Sequence, residues 1–302
     1  MARWSTTIEL LGVGGEPVDL ARTLLSHGVA DLPPNEIAPD GTLLRTALAA
    51  GGRAWVVDLT SEGAGRARVG AGATAPPVSQ RPALVAQIRH MLRLDEDLSD
   101  FYLLAAADPG LAWVIAGAGR MMRSPTVFED VVKTICTTNC TWSATVRMVS
   151  ALVRELGTPA VGADDRRAFP APATVADAGE AFFRDVARAG YRGPYLRALA
   201  DDVASGRLDL EALGDPSLPD QEVADRLLQI AGVGPYAMAH MMMLLGRYRQ
   251  LILDSWTRPK YRRVSGRPRV TDKGIQRTFR HYRQFAGLAF WLTLTEDWLP
   301  SE

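Results

Sequence analysis

The chain reads as an α+β protein, mainly α, with a small N-terminal antiparallel β domain followed by a larger helical body. Three observations predict this. Residues 4 to about 80 carry short β-like runs broken by Gly, Pro and Asp. From Pro82 onward apolar residues recur at three- and four-residue spacing. Several of the helical segments end in glycine, the residue that best tolerates a left-handed C-terminal cap.

The β-like runs are STTIELLGV, AWVVDLT and ARVGAGA, with LPPNEIAPDG and TSEGAG as spacers. The helical segments are ALVAQIRHMLRL, SPTVFEDVVKTICTT, SATVRMVSALVRELG, ATVADAGEAFFRDVARAG, PYLRALADDVASG, DQEVADRLLQIAG, PYAMAHMMMLLG and KGIQRTFRHYRQFAGLAFWLTLTE. Gly157, Gly190, Gly206 and Gly246 stand where C-terminal caps are expected. The change of pattern divides the chain into a β-rich part over 1–107, ending in a helix, and a helical body over 108–302.

Composition narrows the function classes. The chain has 302 residues, 47% hydrophobic and 23% charged, with a formal net charge of zero. Global charge therefore selects no partner. The only cysteines are Cys136 and Cys140, too few for a disulfide framework, and they fit a reducing cytoplasm. The start lacks a signal-peptide pattern, and no run of about 18 apolar residues suggests a membrane span. Charge is nevertheless uneven. Between Arg247 and Arg283 there are twelve Arg or Lys against two acids, Asp254 and Asp272, which is the footprint of a polyanion-binding face or of a solvated basic loop.

The stretch IAGVGPYAMAH, residues 230–240, contains Gly232 and Gly234. A dinucleotide-binding loop needs a preceding strand and a third glycine, and here the approach is helical and Ala237 stands at the third position. A turn between two helices fits better, with Pro235 at the first helical position. Such a turn can present backbone amides to a phosphate, or it can be a plain helical hairpin.

The residues downstream of the turn set its context. LLQIAGVGPYAMAHMMMLLGRYRQLILD ends in Asp254, and it resembles the hairpin-to-aspartate segment of the helix-hairpin-helix DNA base-excision glycosylases. ICTTNCTWSATVRMVSALVRELG resembles the wedge-bearing segment of the oxoguanine branch, and AGYRGPYLRAL its Gly-Tyr-Arg segment. The resemblance covers most of the chain and implies a small antiparallel domain followed by a two-lobed helical body. It also implies a partner, double-stranded DNA containing a damaged base, and a monomeric, cytoplasmic, nucleoid-associated protein with no membrane contact.

By that resemblance Asp254 is the catalytic carboxylate, although an Asp at this place is also a good helix N-cap. Bifunctional relatives carry a lysine where this chain has Tyr236, and no lysine lies between Lys133 and Lys260, so hydrolysis without a lyase step is expected. Tyr236, His240 and Trp142 are the candidate base-pocket residues. His240 and Trp142 each have a plain core reading as well. Asn139 matches the wedge, and Tyr191 and Arg192 match contacts to the opposite strand; with Gly232, Gly234 and Arg258 they form the expected DNA-binding set. Ala144 stands where the oxoguanine branch has an arginine, which weakens a strict pairing with cytosine. No cofactor is required. The two cysteines cannot hold an iron–sulfur cluster, whereas the hairpin carbonyls of Leu228, Ile230 and Val233 match a structural K+ or Na+ site. The expected function is a monofunctional glycosylase for damaged purines, alkylated before oxidised. The alternatives are an 8-oxoguanine-type enzyme, a bifunctional lyase, a non-enzymatic lesion-binding protein and a nucleotide-dependent oxidoreductase.

Overall fold

Alternation along one long strand organises the N-terminal sheet. In Arg53–Gly63, Trp55, Val57 and Leu59 are buried on one face, while Ala54 is buried on the other. The computed structural model describes residues 4–63, 65–72, 74–163 and 165–299. Within it the strands are β1 (Trp4–Glu9), β2 (Glu36–Ile37), β3 (Leu43–Ala50), β4 (Arg53–Gly63) and β5 (Arg66–Ala71), in the antiparallel order β1-β5-β4-β3-β2. The last residue of the third β-like run, Ala73, lies outside the described residues. Strand β3, LLRTALAA, carries no strand signal in its Leu/Ala composition, yet it pairs with β4 along its whole length. Tertiary pairing overrides propensity here.

Two further strands, β6 (Thr158–Val161) and β7 (Arg167–Ala168), come from the segment after the fifth long helix. β5 reaches only residues 58–63 of β4, so β6 pairs in parallel with Ala54 and Trp55 on the free edge. The glycine before β6 is therefore not a left-handed cap. Gly157 has φ −66, and a Cβ there would lie 2.3 Å from the Val153 carbonyl and 2.4 Å from that of Ala168. Close backbone approach, not helix termination, requires it. Gly190, Gly206 and Gly246 do have positive φ, as caps require.

The helices are α1 (Leu20–Leu24), α2 (Arg81–Met91), α3 (Ser99–Ala106), α4 (Val127–Thr137), α5 (Trp142–Ala151, running into a π-helical turn over 152–156) and α6 (Pro172–Asp177). They continue with α7 (Arg192–Ala204), α8 (Asp220–Leu228), α9 (Pro235–Leu244), α10 (Thr257–Val264), α11 (Asp272–Phe279) and α12 (Ala286–Thr295). Helix α2 covers one sheet face through Leu84, Ile88 and Met91. The segment expected to be continuous over 273–296 breaks at Arg283, whose φ is 55. Helix α10 lies in the Arg-rich stretch where no helix is expected from periodicity, and Pro259 sits in its first turn, where proline is tolerated.

Two apolar clusters form the helical body. One joins α4, α5, α7, α8 and one side of α9; the other joins α3, α11, α12 and the other side of α9. The chain between α9 and α10 is pressed against α12 at Gly287, whose amide donates to the Tyr248 carbonyl over 2.7 Å. A Cβ at Gly287 would lie 2.0 Å from the Gln250 carbonyl oxygen. Gly287→Ala is expected to destabilise the protein by about 1–3 kcal/mol in chemical denaturation. Gly234→Ala, where a Cβ meets nothing within 4 Å, is expected to leave the midpoint close to wild type.

Candidate active site

The turn between α8 and α9 opens onto a cleft of about 1100 Å³. Gly232 has φ 91, and a Cβ there would strike the Tyr195 ring at 2.9 Å, so glycine is required both by conformation and by contact. Gly234 has φ −95 and open space in front of it. Pro235 at the first helical position leaves the turn free of an intrahelical donor that would need a partner. The amides of Gly232 and Gly234 donate to no backbone carbonyl among the described residues, so they are free for an anion at the cleft edge. On the other side of the turn the carbonyls of Leu228 and Val233 accept no backbone bond, and that of Ile230 accepts one, from Val233 at 3.0 Å. These three oxygens fit the chemistry of a hard monovalent cation.

Asp254 lies on the same cleft, at the entry to α10. Its Oδ1 accepts from the amides of Trp256 (2.8 Å) and Thr257 (2.6 Å), while its own amide donates to Thr257 Oγ1 at 2.8 Å. This reciprocal cap fixes the carboxylate without occupying it. Oδ2 has no partner among the described residues, so one oxygen caps the helix and the other is left for the cleft.

Around the carboxylate the walls are aromatic. Tyr236 and His240, one turn apart on α9, meet edge-to-face at 4.5 Å between centroids. Trp256, Trp291 and Trp298 form a cluster with centroids 5.6–6.1 Å apart, and all three line the cleft. Burial pushes the Tyr236 hydroxyl above its ordinary value, and the Asp254 carboxylate adds to this. Burial pushes His240 down to about 4, against the pull of Asp254, so the ring is neutral near pH 7. Its Nε2 is buried with no protein partner.

Most residues singled out in the sequence meet here. Trp142, Asn139, Tyr191, Gly232, Val233, Gly234, Tyr236, His240 and Asp254 all line the cleft. Asn139 sits exposed at the rim with φ 43, a conformation Asn tolerates, and its Nδ2 donates to the Tyr191 hydroxyl at 3.4 Å.

Leu228 and Ile230 do not line the cleft, and two of the expected DNA contacts also stand elsewhere. Arg192 is buried, donates to the Thr138 carbonyl and hydroxyl, and lies 4.5 Å over the Tyr191 ring. It braces the turn that carries Asn139 and does not reach outward. Arg258 is held by Asp272 through two hydrogen bonds of 2.8 and 2.9 Å and does not line the cleft. Lys260 is likewise paired, with Asp297, whereas Arg262, Arg263, Arg267 and Arg269 have no ion pair among the described residues. Cys136 is buried, and burial pushes its thiol up to about 12. Cys140 donates to the Cys136 carbonyl at 3.2 Å, so both serve packing.

None of the three lysines lines the cleft. Lys133 is buried against Glu129 at 2.7 Å, and Lys273 is exposed on α11. Sequence reasoning missed His27, Trp256, Trp291 and Trp298, which come to the cleft from separate parts of the chain.

His240 and His27 are both held at about 4 by burial, below the ordinary 6.5. The unfolded chain therefore takes up their protons first. The stability gained by keeping the rings neutral is full above about pH 6.5 and is lost as the pH falls toward 4, by up to about 3 kcal/mol per ring. His240→Phe is expected to flatten this part of the curve of unfolding free energy against pH. An unchanged slope between pH 6.5 and 4 would contradict the assignment.

No family model matches the chain, and no curated protein matches it in sequence. Solved structures do match it in shape. A 3-methyladenine DNA-glycosylase from Archaeoglobus fulgidus superimposes with a TM-score of 0.74 at 18% identity, over 96% of this chain and 98% of that one. An apo 8-oxoguanine glycosylase/lyase from Clostridium acetobutylicum gives 0.71 at 19% identity, over 96% and 95%. A Schizosaccharomyces pombe 3-methyladenine DNA glycosylase, in complex with abasic DNA, gives 0.52 at 18% identity, over 68% and 100%. The chain therefore has the fold of these solved DNA glycosylases.

Proposed function

We propose that the protein is a monofunctional DNA glycosylase that flips a damaged purine, most readily an alkylated one, out of double-stranded DNA and hydrolyses its glycosidic bond. The observation that carries this reading is Asp254, with one carboxylate oxygen fixed in the α10 cap and the other unpartnered on an aromatic cleft beside the hairpin amides. Flipping costs a few kcal/mol in stacking and pairing. The hairpin amides hold a backbone phosphate, Asn139 enters the gap, and Tyr191 stands at the rim toward the opposite strand. As the bond to the base breaks, positive charge develops on the sugar and the Asp254 carboxylate stabilises it. The faces of Tyr236 and the three tryptophans suit an electron-poor or cationic base.

The lack of a lysine on the cleft supports the monofunctional reading: Lys133 and Lys260 are held in ion pairs, and Tyr236 lines the cleft at the position that the sequence resemblance matches to the lysine of bifunctional members. Water is then the attacking group. Arg262, Arg263, Arg267 and Arg269, unpaired among the described residues, supply positive charge for further phosphates. A K+ or Na+ on the carbonyls of Leu228, Ile230 and Val233 would neutralise the carbonyl side of the hairpin and strengthen its hold on DNA. An 8-oxoguanine-type activity is the second reading. The Asn139–Tyr191 contact at the rim favours it, and Ala144 leaves out one of that branch's contacts.

A panel of duplexes, each carrying one alkylated or oxidised purine, tests all of this. Wild type is expected to release an alkylated base without strand cleavage, and borohydride is expected to trap no covalent adduct. Asp254→Asn keeps an oxygen for the α10 cap, so its melting temperature stays close to wild type. Its base release is expected to fall by about 100-fold or more. Release that persists in the variant sinks the role given to Asp254, and a panel with no release at all sinks the enzymatic reading.

A further inference from the structure

His27 precedes a single 3-10 turn (Gly28–Asp31) in the N-terminal part of the chain, far in sequence from the hairpin and Asp254, yet it lines both the cleft and a small recess that adjoins it. His240, Thr134 and Thr137 line the same recess. The His27 Nε2 lies 2.6 Å from the Met122 carbonyl. A carbonyl oxygen can only accept, so Nε2 must carry the proton. Burial holds the ring neutral near pH 7, with a pKa of about 4. A neutral imidazole protonated at Nε2 has a bare Nδ1, and Nδ1 has no partner among the described residues. Beside it His240 Nε2 is buried and also unpartnered. His240 Nε2 lies too deep to meet a ligand, which leaves His27 Nδ1 as the bare acceptor on a residue that lines the cleft.

We propose that His27 is a specificity-determining residue, whose Nδ1 accepts a hydrogen bond from the edge of the flipped base and selects rings that present an amino group there over rings that present a carbonyl. The inference rests on the cleft being the base pocket. The Met122 carbonyl sets the sign of the selection by fixing the tautomer. A carbonyl oxygen facing Nδ1 would set two acceptors against each other where a bound base has displaced the water between them, and a site built around one polar partner rejects the analogue that lacks it. The selected class is the 6-aminopurine, adenine-derived lesion in preference to its 6-oxo counterpart.

Two free bases that differ at C6, 3-methyladenine and 3-methylhypoxanthine, provide the test. In titrations of the intact protein, 3-methyladenine is expected to bind at least about tenfold more tightly, the equivalent of one neutral hydrogen bond. His27→Gln keeps an amide N–H for the Met122 carbonyl and removes Nδ1, so the ratio is expected to fall toward one while the protein stays folded. In wild type, the ¹⁵N resonance of His27 Nδ1 is expected to leave the bare-nitrogen position on adding 3-methyladenine and to stay with 3-methylhypoxanthine. Equal affinities in wild type, or a ratio that survives His27→Gln, overturns the inference. Binding that discriminates between the bases while no duplex lesion is excised would instead overturn the glycosylase reading and leave the role of His27 as a base reader standing.

Discussion

Helix α9 is the member on which the rest of the body depends. Its sequence, PYAMAHMMML, has no polar face, because both sides of the helix are covered. Ala237, Met241 and Met242 belong to the cluster of α4, α5, α7 and α8, and Ala239 and Met243 to that of α3, α11 and α12. A helix packed on both sides can neither rotate nor slide without opening one of the two cores. Tyr236 and His240 are therefore held in fixed positions at the cleft by packing that lies behind them. Four methionines, adaptable in shape, fill the irregular space between the lobes.

Charged groups fix the far end of α9 and tie it to the β domain. Arg93 donates to the Leu244 carbonyl at the α9 C-terminus (2.5 Å) and pairs with Glu96 at 2.7 Å, and Glu96 accepts from the Tyr248 hydroxyl at 2.8 Å. Arg120, fully buried, bridges the Arg93 and Glu96 carbonyls to the Glu16 carboxylate. Glu16 belongs to the N-terminal part, so the layer that carries His27 and the helix that carries His240 share one network. Beyond Tyr248 the chain passes under Gly287 and reaches Asp254 at a fixed height. The site is thus a meeting of a helix packed on both sides, a capped carboxylate and a ring from the N-terminal part of the chain.

Much of this was legible in the sequence, for local reasons. The Gly-Val-Gly-Pro turn, the periodic helices beside it and the Asp after an apolar run each have short-range physical causes, and the structure brings them to one cleft. The tryptophans at 256, 291 and 298 were not legible, since their cluster exists only when α10, α12 and the chain after α12 meet. His27 was hidden for the same reason. Arg192 and Arg258 show the converse. An arginine near a DNA-binding motif suggests a phosphate contact, but a buried acceptor or a neighbouring acid can claim it first, as the Thr138 carbonyl and Asp272 do. Strand β3 escaped notice because its Leu and Ala favour helix and only its partners make it a strand.

The central claim is that the free oxygen of Asp254 faces the sugar and stabilises positive charge there. It is tested most directly by binding two duplexes with non-cleavable abasic analogues of the same shape, one a cationic pyrrolidine and the other a neutral tetrahydrofuran. The account predicts that wild type binds the cationic duplex at least about tenfold more tightly and that Asp254→Asn loses this preference while binding the neutral duplex as before. Equal binding of the two duplexes by wild type, or a preference that Asp254→Asn retains, would contradict it.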